Sequence, residues 1–268
     1  MPSNEYATVD ALAPAAIEAK AETVGAGKAT MPLGRSFVLA CLAGFFIGMG
    51  GMFMLLVKSD ASLSFAAASL LGGLSFSLGL FAVLVAGAEL FTGNNLMVLG
   101  CLGGKYAPAQ LVRSWCVVYV GNLVGSLVLV AILYLANFAG MNGGAVGGCA
   151  VSVATAKCSL PFATAFFRGI MCNVLVCLAV WMGFAGKTVV DKFLAAAVPV
   201  TAFVACGFEH CVANMFFLPY GLALSGGTEA ITIGSVLMNI LAATAGNIVG
   251  GALLFAGAYW LAFGRKEA

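Results

Sequence analysis

His210 is the only histidine of the chain, set in the run Gly207-Phe208-Glu209-His210-Cys211-Val212-Ala213-Asn214-Met215 between long apolar stretches. A neutral imidazole donates one hydrogen bond, accepts another and titrates near pH 7, so it suits proton transfer. A second run, Gly87-Ala88-Glu89-Leu90-Phe91-Thr92-Gly93-Asn94, repeats the spacing Gly-x-Glu-x4-Asn. Ionisable groups in such surroundings are expensive and mark polar paths. Thr92, Asn94, Glu209 and Asn214 are expected to satisfy freed backbone groups or to meet a solute. Glu89 and Glu209 are read as acceptors that hold their loops rather than as solute contacts.

Other chemistries fit poorly. The nine cysteines form no Cys-x-x-Cys, and one histidine cannot complete a zinc set, so no metal or cofactor is expected. Within apolar runs cysteine behaves as a small hydrophobe. A membrane-embedded enzyme would need a nucleophile–base pair or a metal cluster, for which this inventory is poor material. The stretch Gly25-Ala26-Gly27-Lys28-Ala29-Thr30 lacks the first glycine of a phosphate loop and follows no strand.

The elements that must position these residues follow from composition. The 268 residues are 62% hydrophobic and 8% charged, whereas soluble domains carry about 25% charged residues. The apolar runs are continuous and rich in Leu, Ala and Gly, which favours membrane helices over alternating barrel strands. A net charge of +2 without a basic cluster gives no reason to invoke nucleic acid. Apolar regions near 36–57, 64–100, 112–138, 160–185, 193–223 and 233–263 predict an all-α protein with six transmembrane helices. Region 64–100 is too long for one straight span, since about 20 residues suffice. It and region 193–223 are each interrupted by Gly and polar residues, predicting broken second and fifth helices.

Gly121-Asn122-Leu123-Val124-Gly125 recurs as Gly246-Asn247-Ile248-Val249-Gly250 in the sixth region. With the two Gly-x-Glu-x4-Asn runs, this suggests two three-helix repeats inserted in opposite senses, with a site where the broken helices meet. The expected organisation is a cytoplasmic N-terminal segment 1–30, with an amphipathic helix over Ala11–Thr23, and a first repeat 31–140. An extracytoplasmic connection 141–159, a second repeat 160–264 and a cytoplasmic tail 265–268 complete it. Lys20, Lys28, Arg35, Lys105, Arg113, Lys187, Lys192, Arg265 and Lys266 fall on the side of the termini, opposite Lys58 and Lys157. That bias places both termini in the cytoplasm. The small-xxx-small pairs Gly44/Gly48, Gly121/Gly125 and Gly246/Gly250 suit close helix packing within or between protomers.

The two glutamate runs, with the segment Arg168-Gly169-Ile170-Met171-Cys172-Asn173-Val174-Leu175-Val176-Cys177 leading to Trp181, resemble the signatures of the formate/nitrite transporter family, nearest its formate channels. The resemblance spans about residues 11–263. It implies a homopentamer of aquaporin-like protomers in a bacterial-type inner membrane, each with its own pore, and an N-terminal segment that can gate the cytoplasmic mouth or meet a cytoplasmic partner. It also implies constrictions built from Phe76, Leu80, Phe91, Asn173, Val176 and Phe203, with Lys157 drawing anions inward. Thr92-Gly93-Asn94-Asn95 departs from the Thr-Ser-Thr of some formate channels, which leaves nitrite, hydrosulfide, acetate or lactate open beside formate. On this reading Lys157 and Arg168 concentrate the anion, Thr92 and Asn214 replace its water, and His210 donates or relays a proton so that a neutral acid crosses. A proton-coupled transporter would use the same residues. An aquaporin-type water channel would need paired Asn-Pro-Ala boxes, and the chain has none.

Overall fold

The computed structural model describes residues 11–227 and 229–264, and these are helical without strands. Five helices are long and apolar enough to cross a membrane: α2 (Leu33–Lys58), α3 (Phe65–Ala86), α5 (Pro108–Leu135), α7 (Phe162–Ala185) and the last helix, Ile233–Gly264. Their outward side chains, Leu135, Ile233 and Leu253 among them, are apolar and exposed, as lipid contact requires. The remaining helices are shorter: α1 (Pro14–Ala29), α4 (Val98–Leu102), α6 (Ala145–Cys158), α8 (Val189–Ala205) and α9 (Cys211–Leu224).

Local sequence sets the helix ends. Pro14 sits in the first turn of α1, Ser64 accepts from the Ala67 amide, and Thr188 with Asp191 forms a capping box for α8. α3 stops at Gly87 (φ 81°) and α8 just before Gly207 (φ 68°), left-handed positions that favour glycine. Backbone then runs without α-helix until a 3-10 turn at Gly93 in the first case and α9 at Cys211 in the second. The last helix begins as α10 (Ile233–Ile248) and widens into π-helical turns over Val249–Ala256.

Two elements differ from the sequence expectation. The N-terminal helix starts at Pro14 and continues to Ala29, beyond Thr23, because Gly25 lets it lie against Met97 and Tyr106. Ile17, Ala21, Gly25 and Ala29 form the stripe that it buries against the chain. Polar ties hold it there: Lys20 Nζ donates to the Phe184 carbonyl (2.7 Å), and Arg113 to that of Ala29 (2.8 Å). Stretch 141–159, read as a connection, contains the helix α6. The first ten and last four residues of the expected cytoplasmic segments lie outside the described residues.

The glycine pairs pack helices inside the protomer. A Cβ at Gly44 would strike the Asn122 carbonyl, and one at Gly125 that of Cys41, so α2 and α5 touch backbone to backbone. Gly246 and Gly250 bring the last helix equally close to Phe166 and Ile170 on α7.

Candidate functional site

The two interruptions are each fixed by an asparagine from a long helix. Asn122 Oδ1 accepts from the Phe91 amide (2.9 Å), while its Nδ2 donates to the carbonyls of Ala40 (2.8 Å) and Glu89 (2.9 Å). Asn247 Oδ1 accepts from the Cys211 amide (2.9 Å), and its Nδ2 donates to Gly169 (2.8 Å) and Glu209 (2.9 Å). Each amide thus satisfies backbone groups that an unwound helix leaves without partners, a requirement where water is scarce. The Glu89 amide reaches the Leu39 carbonyl and the Glu209 amide that of Arg168.

Each glutamate is paired to a lysine from a short helix. Lys28, near the end of α1, lies 3.0 Å from Glu89 and donates to Asn94 Oδ1 (2.7 Å), and Asn94 in turn donates to Glu89 (2.8 Å). Lys157, near the end of α6, lies 2.8 Å from Glu209, and Asn214 donates to Glu209 (2.7 Å). Asn239 adds a further tie here, donating to the Lys157 carbonyl (2.9 Å). The carboxylates are therefore bound as loop acceptors. Asn214 Oδ1 is buried with no hydrogen-bond partner among the described residues.

His210 caps the N-terminus of α9. Its Nδ1 accepts from the Ala213 amide at 2.9 Å, and its Nε2 stands 2.9 Å from Thr92 Oγ1. An amide can only donate, so Nδ1 carries no proton, and the neutral ring holds its hydrogen on Nε2, donating to Thr92. The Thr92 hydroxyl keeps its own hydrogen for another acceptor. The imidazole lies nearly parallel to Phe203, with centroids 5.8 Å apart at 15°.

Two cavities approach this pair from opposite sides. The one beside α1, of about 280 Å³, is lined by Lys28, Arg35, Leu80, Glu89, Leu90 and Asn94 among others. The one beside α6, of about 100 Å³, is lined by Lys58, Phe76, Lys157, Phe203, His210, Asn214 and their neighbours. Between them Phe76, Leu80, Leu90, Val176, Phe203 and His210 surround a void too narrow for water. Phe76 and Phe203 close it on the α6 side, with rings 5.9 Å apart and edge to face; Leu80 and Leu90 close it on the α1 side.

Not every expected residue lies on this path. Phe91 turns its ring to Tyr119 (5.0 Å) and Trp115 (6.0 Å), and Leu90 takes the lining position. Asn173 is buried behind the site, donating to the Asn247 carbonyl (2.7 Å). Arg168 is exposed, 3.5 Å from the Gly207 carbonyl. Lys28, Leu90, Asn122 and Asn247 are site residues to which sequence reading assigned no role. The recurring Gly-Asn-x-x-Gly already singled out the two asparagines. On α1, Glu18 is buried with one carboxyl oxygen unpartnered; burial first, then neighbouring Glu22, pushes its carboxyl above the usual range.

Comparison with known proteins agrees with this architecture. Residues 15–261 match the sequence profile described as formate/nitrite transporter. The chain is 36% identical to the formate channel FocA of Escherichia coli K12 over 96% of each protein. It is 34% identical to the nitrite transporter NirC of Salmonella typhimurium, over 93% of this chain and 90% of the relative. Among solved structures, a pentameric formate channel with formate bound superposes with a TM-score of 0.78 at 36% identity, covering 87% of this chain and 98% of that one. The relatives are membrane transporters and channels rather than enzymes, and this integral membrane protein belongs to the formate/nitrite transporter family.

Proposed function

We propose that this chain is a passive, pH-dependent channel for small monovalent anions, formate foremost, and that the solute passes the centre as the neutral acid. One observation carries the reading: a neutral, capped His210 donates to Thr92 at an apolar constriction between two cavities. A bare anion between phenylalanines and leucines faces a cost of tens of kcal/mol at low dielectric. Protonating a carboxylate whose pKa lies about three units below neutrality costs roughly 4 kcal/mol. Protonation is the cheaper route.

His210 assists without leaving its tautomer. A proton released from Nε2 would leave an anionic ring unless Nδ1 were protonated, and protonating Nδ1 would break the cap on α9. The ring therefore fixes the Thr92 hydroxyl, which is buried and keeps its own hydrogen to give, and water in the cavities supplies the proton. Asn214 lines the α6-side cavity, and its Oδ1, buried without a hydrogen-bond partner among the described residues, is the acceptor this reading assigns to the O–H of the neutral acid. Asn173 and Asn247 hold the loops from behind, Lys157 and Glu209 fix the α6-side mouth, and Phe76, Leu80, Val176 and Phe203 form the slits.

The same reading has both termini in the cytoplasm of an inner-membrane protein. Its six membrane-crossing paths form two oppositely inserted, aquaporin-like repeats with broken second and fifth helices, assembled as a homopentamer with one pore in each protomer. The paired roles of Asn122 and Asn247, and of Lys28 and Lys157, support the duplication. Likeness to the pentameric formate channel with formate bound supports the assembly and the solute. Resemblance to NirC favours nitrite as the second solute.

Stopped-flow flux of formate, nitrite, hydrosulfide and lactate into proteoliposomes tests this directly. Formate is expected fastest, rising as pH falls, with no accumulation against its gradient. Concentrative uptake would make the protein a proton-coupled transporter, and wild-type formate flux in His210→Gln at every pH would remove the imidazole from the mechanism.

A further inference from the structure

We infer that Lys58, rather than Lys157, supplies the net positive charge that gathers anions in the α6-side cavity; the inference rests on the transport reading above. Lys58 ends α2 and lines this cavity together with Lys157 and His210. The charges there do not contribute equally. Lys157 is bound to Glu209 at 2.8 Å, so that pair adds a dipole and no net charge. His210 is held neutral by its cap. Lys58 has no ion pair among the described residues, which leaves the cavity one surplus cation.

The placement is built. The Lys58 stem crosses α3 at Gly72, where an added Cβ would stand 3.0 Å from its Cγ and 3.1 Å from its Cδ. The next residue, Ser59, is tied to Asn142 Nδ2 through its carbonyl (3.3 Å). A half-buried stem with its head at a cavity is the arrangement in which a lysine keeps its charge while lining apolar surface. The nearest acid in sequence, Asp60, spends one carboxylate oxygen on the Ser62 amide (2.8 Å). Hydrogen bonds from Ser62, side chain first and then backbone, keep that carboxyl below its usual range, and Asp60 is exposed and does not line the cavity. A surplus cation in a cleft with low-dielectric walls raises the local concentration of anions.

The test is formate uptake by wild-type, Lys58→Gln and Lys58→Arg proteoliposomes across external formate concentration and ionic strength. In about 10 mM salt, Lys58→Gln should raise the half-saturating formate concentration roughly three- to tenfold, with maximal flux within about twofold of wild type. The difference should close near 0.15 M salt, where the Debye length has fallen to about 8 Å. Lys58→Arg should restore both the half-saturation and its salt dependence. Wild-type half-saturation in Lys58→Gln, or an arginine variant as impaired as the glutamine one, would overturn the inference while leaving formate transport intact. Loss of maximal flux with unchanged half-saturation would assign Lys58 to packing instead. A wild-type protein that carries no formate would remove the transport reading itself, and this inference with it.

Discussion

Beneath α1, Lys28 holds Glu89 and Asn94; beneath α6, Lys157 holds Glu209 and Asn214. Asn122 and Asn247 tie the two loops through matching backbone atoms, down to the residue two places beyond each glutamate. The divergence comes one residue after the glutamate, where the first loop has Leu90 and the second His210. One end thus contributes a greasy wall and the other a hydrogen-bond donor to the same constriction. The scaffold is shared, so the chemistry can be altered at one loop while the clamp that supports it stays in place. The clusters also differ in depth: side chains of Glu209 and Lys157 are 2% and 17% exposed, against 7% and 22% for Glu89 and Lys28.

The largest expected effect tests the shared scaffold. Asn122→Leu and Asn247→Leu each strand three buried backbone groups, at about 1–3 kcal/mol apiece. Both should lose at least about 3 kcal/mol, read as a large fall in the thermal midpoint in detergent. A tolerated change at one position alone would break the equivalence of the two ends.

Removing a lysine probes depth. Lys157→Met leaves Glu209 buried without its cation, a change of about 3–5 kcal/mol, and Lys28→Met should cost less because Glu89 is nearer solvent. The double variant Lys157→Met/Glu209→Gln should recover most of the loss. Equal effects at both ends would show that the difference in burial has no energetic weight.

His210→Leu makes the second loop like the first. Formate flux should fall about tenfold or more as the donor to Thr92 disappears, while loss of the α9 cap costs only about 1 kcal/mol. A variant that keeps its flux would mean that the asymmetry has no part in transport.

The smallest effect separates α1 from α6, which carries no acid. The Glu18 carboxyl is raised above 4.5 when α1 is docked, so the docked state binds the proton more tightly. Docking should therefore strengthen as pH falls through the raised value and level off below 4.5. Protease protection of Lys20 and Lys28 should follow that curve in wild type and become flat in Glu18→Gln.

Much of this was legible in the chain, for physical reasons. A lone histidine and two glutamates in apolar surroundings stand out because their burial must be compensated. Gly-Asn-x-x-Gly repeated visibly, but an asparagine that clamps a loop looks in sequence like one that merely packs. Lys28 was hidden because Glu89 lies 61 residues away and only the docking of α1 joins them. Leu90 carries no signal of its own among many leucines, and Phe91, the more conspicuous neighbour, faces two aromatic rings instead. Helix α6 was obscured by Gly143, Gly144 and Gly147, which serve in turns and a close contact around its start.

The asparagine clamps also bear on tempo. With both loop backbones tied to long helices, little main-chain travel is left at the narrowest point. Widening then falls to torsional excursions of Phe76, Leu80, Leu90 and Phe203, side chains that can rock while their helices stay still. On the channel reading proposed above, such a conduit would open briefly and often instead of rocking between two global shapes.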